Sequence, residues 1–240
     1  MAVQFQILMR RAVIVLFAVV LLGACRQAYA QDPPPPLPRV VVDLHGIVPL
    51  FPNDNQQLAD SRALDSITEL PGSGLGARVG VHFYLFKWKA VTLGIGGEAL
   101  VGHSNNTPAP GATVTVTLAD GSTTTVPAVA VSERLSSADG QVSFNFGTGQ
   151  GWSYISGGVG RSQWSIVPAG AATTSADSAT LPTTNYGGGA HWSIKRHIGF
   201  SLDVRVYEIQ PGPTAIIANL LRAGSPRTRL FVVGAGLFLK

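Results

Sequence analysis

The chain has 240 residues, of which 45% are hydrophobic and only 12% charged, with 28 glycines, one cysteine and a formal net charge of +4. Arg10, Arg11 and Arg26 fall in the first 30 residues and no acid does, so the remainder carries +1; with no run of Lys or Arg longer than two, a basic nucleic-acid surface is excluded. No apolar run after residue 30 approaches the roughly 20 residues of a membrane helix, so any crossing by the rest of the chain is made by strands.

Residues 1–30 read as an export signal: Arg10 and Arg11 precede the apolar run Ala12 to Leu22, and Ala28-Tyr29-Ala30 supplies small residues for cleavage before Gln31. A cut there leaves no cysteine, hence no disulfide or thiol chemistry. A competing pattern, Leu22-Gly23-Ala24-Cys25, is that of a bacterial lipoprotein box with Cys25 acylated and retained. Residues 31–38, with Pro33 to Pro36, form a stiff extended lead-in. A single β domain is expected over 39–240.

From Arg39 the hydrophobic period is two, the period a β-strand imposes on opposite faces. The first strand, about Arg39 to Leu50, sets Val40, Val42, Leu44 and Val48 against Asp43 and His45. The second, about Gly74 to Phe86, sets Leu75, Ala77, Val79, Val81, Phe83 and Leu85 against Gly76, Arg78, Gly80, His82 and Tyr84. Lys87-Trp88-Lys89 turns the chain into Val91, Leu93, Ile95, Ala99 and Val101, alternating with Thr92, Gly94, Gly96 and Glu98. Gln141 to Gly147 and Trp152 to Gln163 form a third pair through the turn 148–151, with Gln141 to Gly147 the weakest pattern. In the fourth pair, Asn185 to Ile194 and Ile198 to Ile209 flank Lys195-Arg196-His197. Here Phe200, Leu202, Val204 and Val206 interleave with Ser201, Asp203, Arg205 and Tyr207. The last strand, about Arg227 to Leu239, puts Phe231, Val233, Ala235, Leu237 and Leu239 outside and Gly234 and Gly236 inside.

The connections alternate in length. Phe51–Ser73, His103–Gly140, Ser165–Thr183 and Gln210–Pro226 are long, and the turns between them are short. A barrel with both termini at one rim sorts its connections in this way, with long loops at the opposite rim; a soluble sandwich has no reason to. Each strand offers about the 9 to 11 tilted residues that cross a hydrocarbon layer, and closure leaves no unpaired edge in lipid. Trp88, Trp152, Trp164, Tyr186 and Trp192 lie near strand ends and are expected in aromatic girdles. Within His103–Gly140, Thr113 to Leu118 and Thr123 to Val131 flank Asp120-Gly121, a hairpin signal for a protruding ribbon. Adding that ribbon to the wall would give ten strands; its polarity on both faces near Thr123 to Thr125 argues against this. Gln57 to Leu70 is expected to hold a short helix.

The stretch from Tyr186 to Arg205, YGGGAHWSIKRHIGFSLDVR, combines a Gly-rich strand, a basic turn and an apolar-Asp-apolar-Arg strand. With the export signal and eight alternating strands, it resembles the OmpA-like and OmpX-like family of small outer-membrane β-barrels over nearly all of residues 31–240. The resemblance implies an eight-stranded antiparallel up-and-down barrel in the outer membrane, assembled by the barrel machinery and contacting outer-membrane lipids. The family's terminal aromatic residue is displaced here, since Phe238 is followed by Leu239-Lys240.

With the apolar faces outward, the lumen gathers Asp43, Glu98 and Asp203 with Arg78 and Arg205, plus His45, His82, His191, Tyr84 and Tyr207. An eight-stranded interior is just wide enough for side chains, so this set is expected to be a structural polar network. The alternative is a narrow gated pore whose histidines titrate near neutrality. Three imidazoles with carboxylates also match zinc chemistry, but no spacing forces them to converge, and no metal or cofactor is expected. His103-Ser104-Asn105 resembles part of a lipid A deacylase set, yet adjacent residues of a strand point to opposite faces; Glu98 is also of opposite parity, so no catalytic residue is assigned. Gly157-Gly158-Val159-Gly160 and Gly187-Gly188-Gly189 point to close strand packing, because no helix follows to cradle a phosphate. The expected function is a non-enzymatic, monomeric barrel with a structural or adhesive role through its outer loops, chiefly residues 103–140. A lipid-modifying enzyme and a secreted soluble β-sandwich compete with that expectation.

Overall fold

Wherever apolar residues alternate with small or polar ones, the chain forms a strand, and eight of these strands close on themselves. The computed structural model describes residues 35–240 except 65, 118–120, 174 and 218–219; the export signal, the Cys25 box and residues 31–34 lie outside the described residues. The wall strands are β1 (Val40–Leu50), β2 (Leu75–Trp88), β3 (Val91–Asn106), β6 (Val131–Thr148), β7 (Gly151–Pro168), β8 (Thr180–Ser193), β9 (Ile198–Ile209) and β12 (Thr228–Leu239). They pair antiparallel in the closed order β1-β12-β9-β8-β7-β6-β3-β2. Closure is made by the first strand against the last, from Val42 opposite Leu239 to Leu50 opposite Phe231. No wall strand therefore presents an unpaired edge along its shared length.

The sheet is inside-out relative to a soluble protein. Leu44, Val79, Phe83, Ile95, Phe144, Ile155, Val204 and Phe231 are exposed on the outside, while Asp43, Arg78, Glu98, Asp203 and Arg205 are buried within. All four long connections emerge at one rim, and both described ends and the three short turns at the other. Two further hairpins rise from the long-loop rim. The ribbon β4 (Thr113–Thr117) with β5 (Thr123–Pro127) forms a separate two-stranded sheet, turning at Gly121 with φ +81°. A smaller one joins β10 (Ala215–Ile217) to β11 (Leu220–Arg222). The wall thus has eight strands and not ten.

Three of the long connections differ from the sequence expectation. β3 runs on to Asn106 and β6 begins at Val131, so the loop expected over 103–140 spans 107–130. β7 continues to Pro168 and β8 starts at Thr180, which shortens the next loop to 169–179. The cause is physical: β6 and β7 each have 18 residues, well beyond the roughly 9 to 11 that span hydrocarbon, and above the apolar belt a strand has no need of apolar outward residues. In the first loop, the expected helix is split into Gln56–Ser61 and a 3-10 turn at Ile67–Glu69. Asn55 caps the helix by accepting from the Leu58 N–H at 3.2 Å, and Ser66 with Glu69 closes a capping box on the turn.

Placing a charge on the outside tests the orientation of the faces. Val204→Arg, at the middle of the outward row of β9, is expected to cost about 2–4 kcal/mol in a bilayer, measured by urea unfolding in lipid vesicles. An exposed site on a soluble sheet would stay within about 0.5 kcal/mol.

Candidate functional site

The lumen is filled in three layers. At the short-turn end, Val41, Tyr84, Trp152 and Phe238 are buried together, and Leu37 of the Pro-rich lead-in packs against them. Trp152 lies 4.5 Å from the His191 ring in a stacked arrangement, Phe238 meets both edge-on, and the indole N–H donates to Tyr84 Oη at 3.1 Å. The Pro35 carbonyl accepts from the Gly149 N–H at 2.7 Å, which ties the lead-in across this mouth.

The middle layer is ionic and contains nine of the ten residues singled out from the sequence, Tyr84 lying in the aromatic layer below, together with others. Arg78 donates through Nη1 to Asp203 Oδ1 and through Nη2 to His45 Nδ1 at 2.6 Å. Because a guanidinium only donates, His45 Nδ1 is the acceptor and its Nε2–H is left for Ser201 Oγ, 2.5 Å away. Arg205 Nε sits 3.1 Å from Asp203 Oδ1 and 3.3 Å from Glu98 Oε2, and Arg78 Nε is 3.8 Å from that same Glu98 oxygen. Two cations and two carboxylates thus balance. The hydroxyls of Tyr207 and Tyr154 donate to Glu98 and Asp203. Below them Asp43 takes His191 Nε2 at 2.8 Å, with His82 Nε2 at 3.6 Å and His45 Nε2 at 3.9 Å. The imidazoles crowd one carboxylate, but among the described residues no group of three or more such side chains is arranged to hold a metal ion.

Glycines make room for these side chains. A Cβ at Gly187 would stand 2.8 Å from Arg205 Cγ, and one at Gly189 would stand 2.9 Å from Tyr154 Oη. The Gly-rich run of β8 is therefore the flat wall against which the network stacks.

The top layer is apolar. Phe51, Leu58, Ala59, Leu64 and Leu70 of the first loop turn inward and pack on Ile47, Leu100, Leu135, Trp164, Ile166, Ile209 and Leu230. Full burial of each such leucine contributes about 1.5–3 kcal/mol. Arg62 fastens this stopper: its Nη1 lies 2.9 Å from Asp177 Oδ1 and its Nη2 donates to the Trp164 carbonyl at 3.2 Å. Burial lowers the Arg62 pKa from its ordinary value, against the opposing charges of Asp177 and Glu133.

Two sequence expectations are corrected by the lumen. Trp152 and Trp164 are not girdle residues: both are buried inside, at 3% and 2% exposure. Trp88 and Tyr186 do face outward. The signal was available in parity, since Trp152 and Tyr154 alternate with Ile155 and Val159 on the opposite face. The sequence reading also missed Glu133, Ser137, Asp139, Gln141, Ser143 and Asn145, all inward on β6. Of the His103-Ser104-Asn105 motif, Ser104 is buried and donates to the Ser73 carbonyl, while the exposed His103 donates Nδ1–H to the Glu133 carbonyl at 3.0 Å and accepts from Asn105 at 2.9 Å. The histidine and serine face opposite sides and cannot act on one another.

The fold is that of small outer-membrane β-barrels. The outer membrane protein OprG from Pseudomonas aeruginosa superposes with a TM-score of 0.50 at 12% identity, over 87% of this chain and 98% of that one. Neisserial surface protein A superposes at 0.43 with 13% identity, over 84% and 95%. The outer membrane enzyme PagL superposes at 0.41 with 13% identity, over 84% and 99%. At such identities the likeness shows the fold alone. No protein-family model matches the sequence, and no curated protein matches it.

Removing one member of the ionic layer tests its role. Asp203→Ala leaves Arg78 and Arg205 to share Glu98, and is expected to destabilise the barrel by about 3–5 kcal/mol in urea unfolding from lipid vesicles. A loss under about 1 kcal/mol would mean that the network is dispensable to the fold.

Proposed function

We propose that the chain is a non-enzymatic, monomeric outer-membrane barrel of the OmpA-like and OmpX-like kind, with a structural role in the membrane and a contact role at its surface. The observation that carries this is the contrast between the lumen and the rim. The interior is occupied at all three levels, by Trp152 and Phe238 below, Arg78 and Asp203 at the middle and Leu58 above. The long-loop rim, in contrast, rises well past the apolar belt on β3, β6 and β7 and carries the β4–β5 ribbon, rich in Thr and Val. Loops held on a rigid scaffold are the usual place for contact with partners. The filled interior speaks against a gated pore, and the opposed faces of His103 and Ser104 against a deacylase.

The test compares the intact chain with one in which residues 109–128 are replaced by a short Gly-Ser linker. Both are expected to show the heat-dependent shift in gel mobility of a folded barrel and no channel conductance in planar bilayers, while cells displaying the shortened chain bind collagen- and glycan-coated surfaces several-fold less well. Steady conductance that changes in Arg78→Ala or Glu98→Ala would favour the pore. Unchanged adhesion would remove the ribbon from any contact role.

A further inference from the structure

The outward face of the wall changes character toward the long-loop rim. On β6 it runs through Phe146, Phe144, Val142, Gly140 and Ala138, then turns to Ser136 and Arg134; on β7, Ile155 and Val159 give way to Arg161, Gln163 and Ser165. On β3, Ile95, Ala99 and Val101 give way to His103. The register sets Ser136 between Val101 and Gln163, and Arg134 between His103 and Ser165. The polar residues therefore form one patch across three neighbouring strands. Arg161 lies on the same face opposite Ala138, four residues along β7 from Ser165.

Arg134 and Arg161 are exposed, and neither takes part in an ion pair among the described residues. Arg229, by contrast, has a carboxylate partner, its Nε lying 2.7 Å from Glu208 Oε1. A guanidinium on the lipid face is tolerated chiefly near the interface, where the neighbouring anions are those of lipid headgroups.

The patch is also shaped. The short helix Ser175–Ser178 lies beside β7, where Gln163 Nε2 donates to the Asp177 carbonyl at 3.1 Å. Between this segment and the wall lies a crevice of about 700 Å³. Arg134, His103, Ser136 and Thr173 line its polar side, and Leu75 and Val101 its apolar side. Leu75 is 74% and Val101 58% exposed, so the apolar side opens onto the belt. Asp177, which also borders the crevice, directs its carboxylate to Arg62 and to the Ile166 N–H at 3.2 Å.

A cationic lip above an apolar, lipid-facing floor matches an amphipathic anion. We infer that the crevice binds a phosphate-bearing lipid of the leaflet around the long-loop rim. Arg134 at the crevice and Arg161 beside it on β7 hold its phosphorylated headgroup, and an acyl chain lies over Leu75 and Val101. The arginines are offset by four residues on adjacent strands, on the order of 13 Å, so a headgroup with two phosphates engages both. This inference rests on the apolar belt lying in lipid.

The test uses the full chain, extracted and delipidated in a neutral maltoside detergent. It is titrated with diphosphoryl lipid A, with the same lipid dephosphorylated, and with inorganic pyrophosphate as competitor, and retained lipid is read by native mass spectrometry. One phosphorylated lipid per barrel is expected, with affinity at least about tenfold lower for the dephosphorylated lipid and for R134A/R161A. R229A, whose arginine is already paired, and R134K/R161K are expected to stay within a few-fold of the intact chain. Equal binding by the double alanine variant or by the dephosphorylated lipid would overturn the proposal, and full displacement by pyrophosphate would assign the site to free phosphate instead. Gel mobility before and after heating separates the two levels: a double variant that keeps the folded band but binds normally sinks only this site, whereas an intact chain with no heat-sensitive band sinks the membrane reading beneath it.

Discussion

The charged groups inside an eight-stranded lumen depend on protein partners, because there is little room for anything else. That constraint follows from closure. Turning apolar side chains outward along every strand leaves the other half of each alternation to fill a space about one side chain deep on each side. Unpaired buried charges would each cost several kcal/mol, and at the centre of the lumen two cations meet two carboxylates: Arg78 and Arg205 with Glu98 and Asp203. Tyrosine hydroxyls and imidazoles take up the remaining acceptor positions on Glu98, Asp203 and Asp43.

The same constraint explains the layering. Charges are concentrated in the middle, where residues from β1, β2, β3, β8 and β9 converge, and each mouth is closed by apolar groups. At the short-turn mouth an aromatic cluster with Leu37 does this. At the other mouth the first loop folds inward, fixed by the Arg62–Asp177 pair to the upper edge of β7. Sealing both ends keeps water from competing with the ionic layer. It also separates the two halves of the molecule in function: the buried half sets stability, and the projecting upper wall, with its ribbon and crevice, is what the surroundings meet.

How much of this the sequence discloses depends on contrast between faces. β9 is legible in full, since Phe200, Leu202, Val204 and Val206 oppose Ser201, Asp203, Arg205 and Tyr207 at every step. The lower part of β6 is legible for the same reason through Val142, Phe144 and Phe146. Its upper part is not, because Arg134 and Ser136 face outward while Glu133, Ser137 and Asp139 face inward, and a period of two vanishes when both faces are polar. The ten lumen residues named from parity are all buried together, but their pairings depend on register between distant strands. Arg62 and Asp177, 115 residues apart in loops without periodicity, left no local signal at all.

The most direct measurement is a spin-label accessibility scan along β9, placing a single cysteine in turn at positions 200 to 207 of the Cys25-free chain in lipid vesicles. Collisions with oxygen, which concentrates in hydrocarbon, should be high at 200, 202, 204 and 206 and low at the alternate positions, and a water-soluble nickel reagent should reach neither set. Nickel access at 202 and 204 would place the apolar face in water, and nickel access at 203 and 205 would show an open lumen; either result would contradict a filled barrel held in lipid.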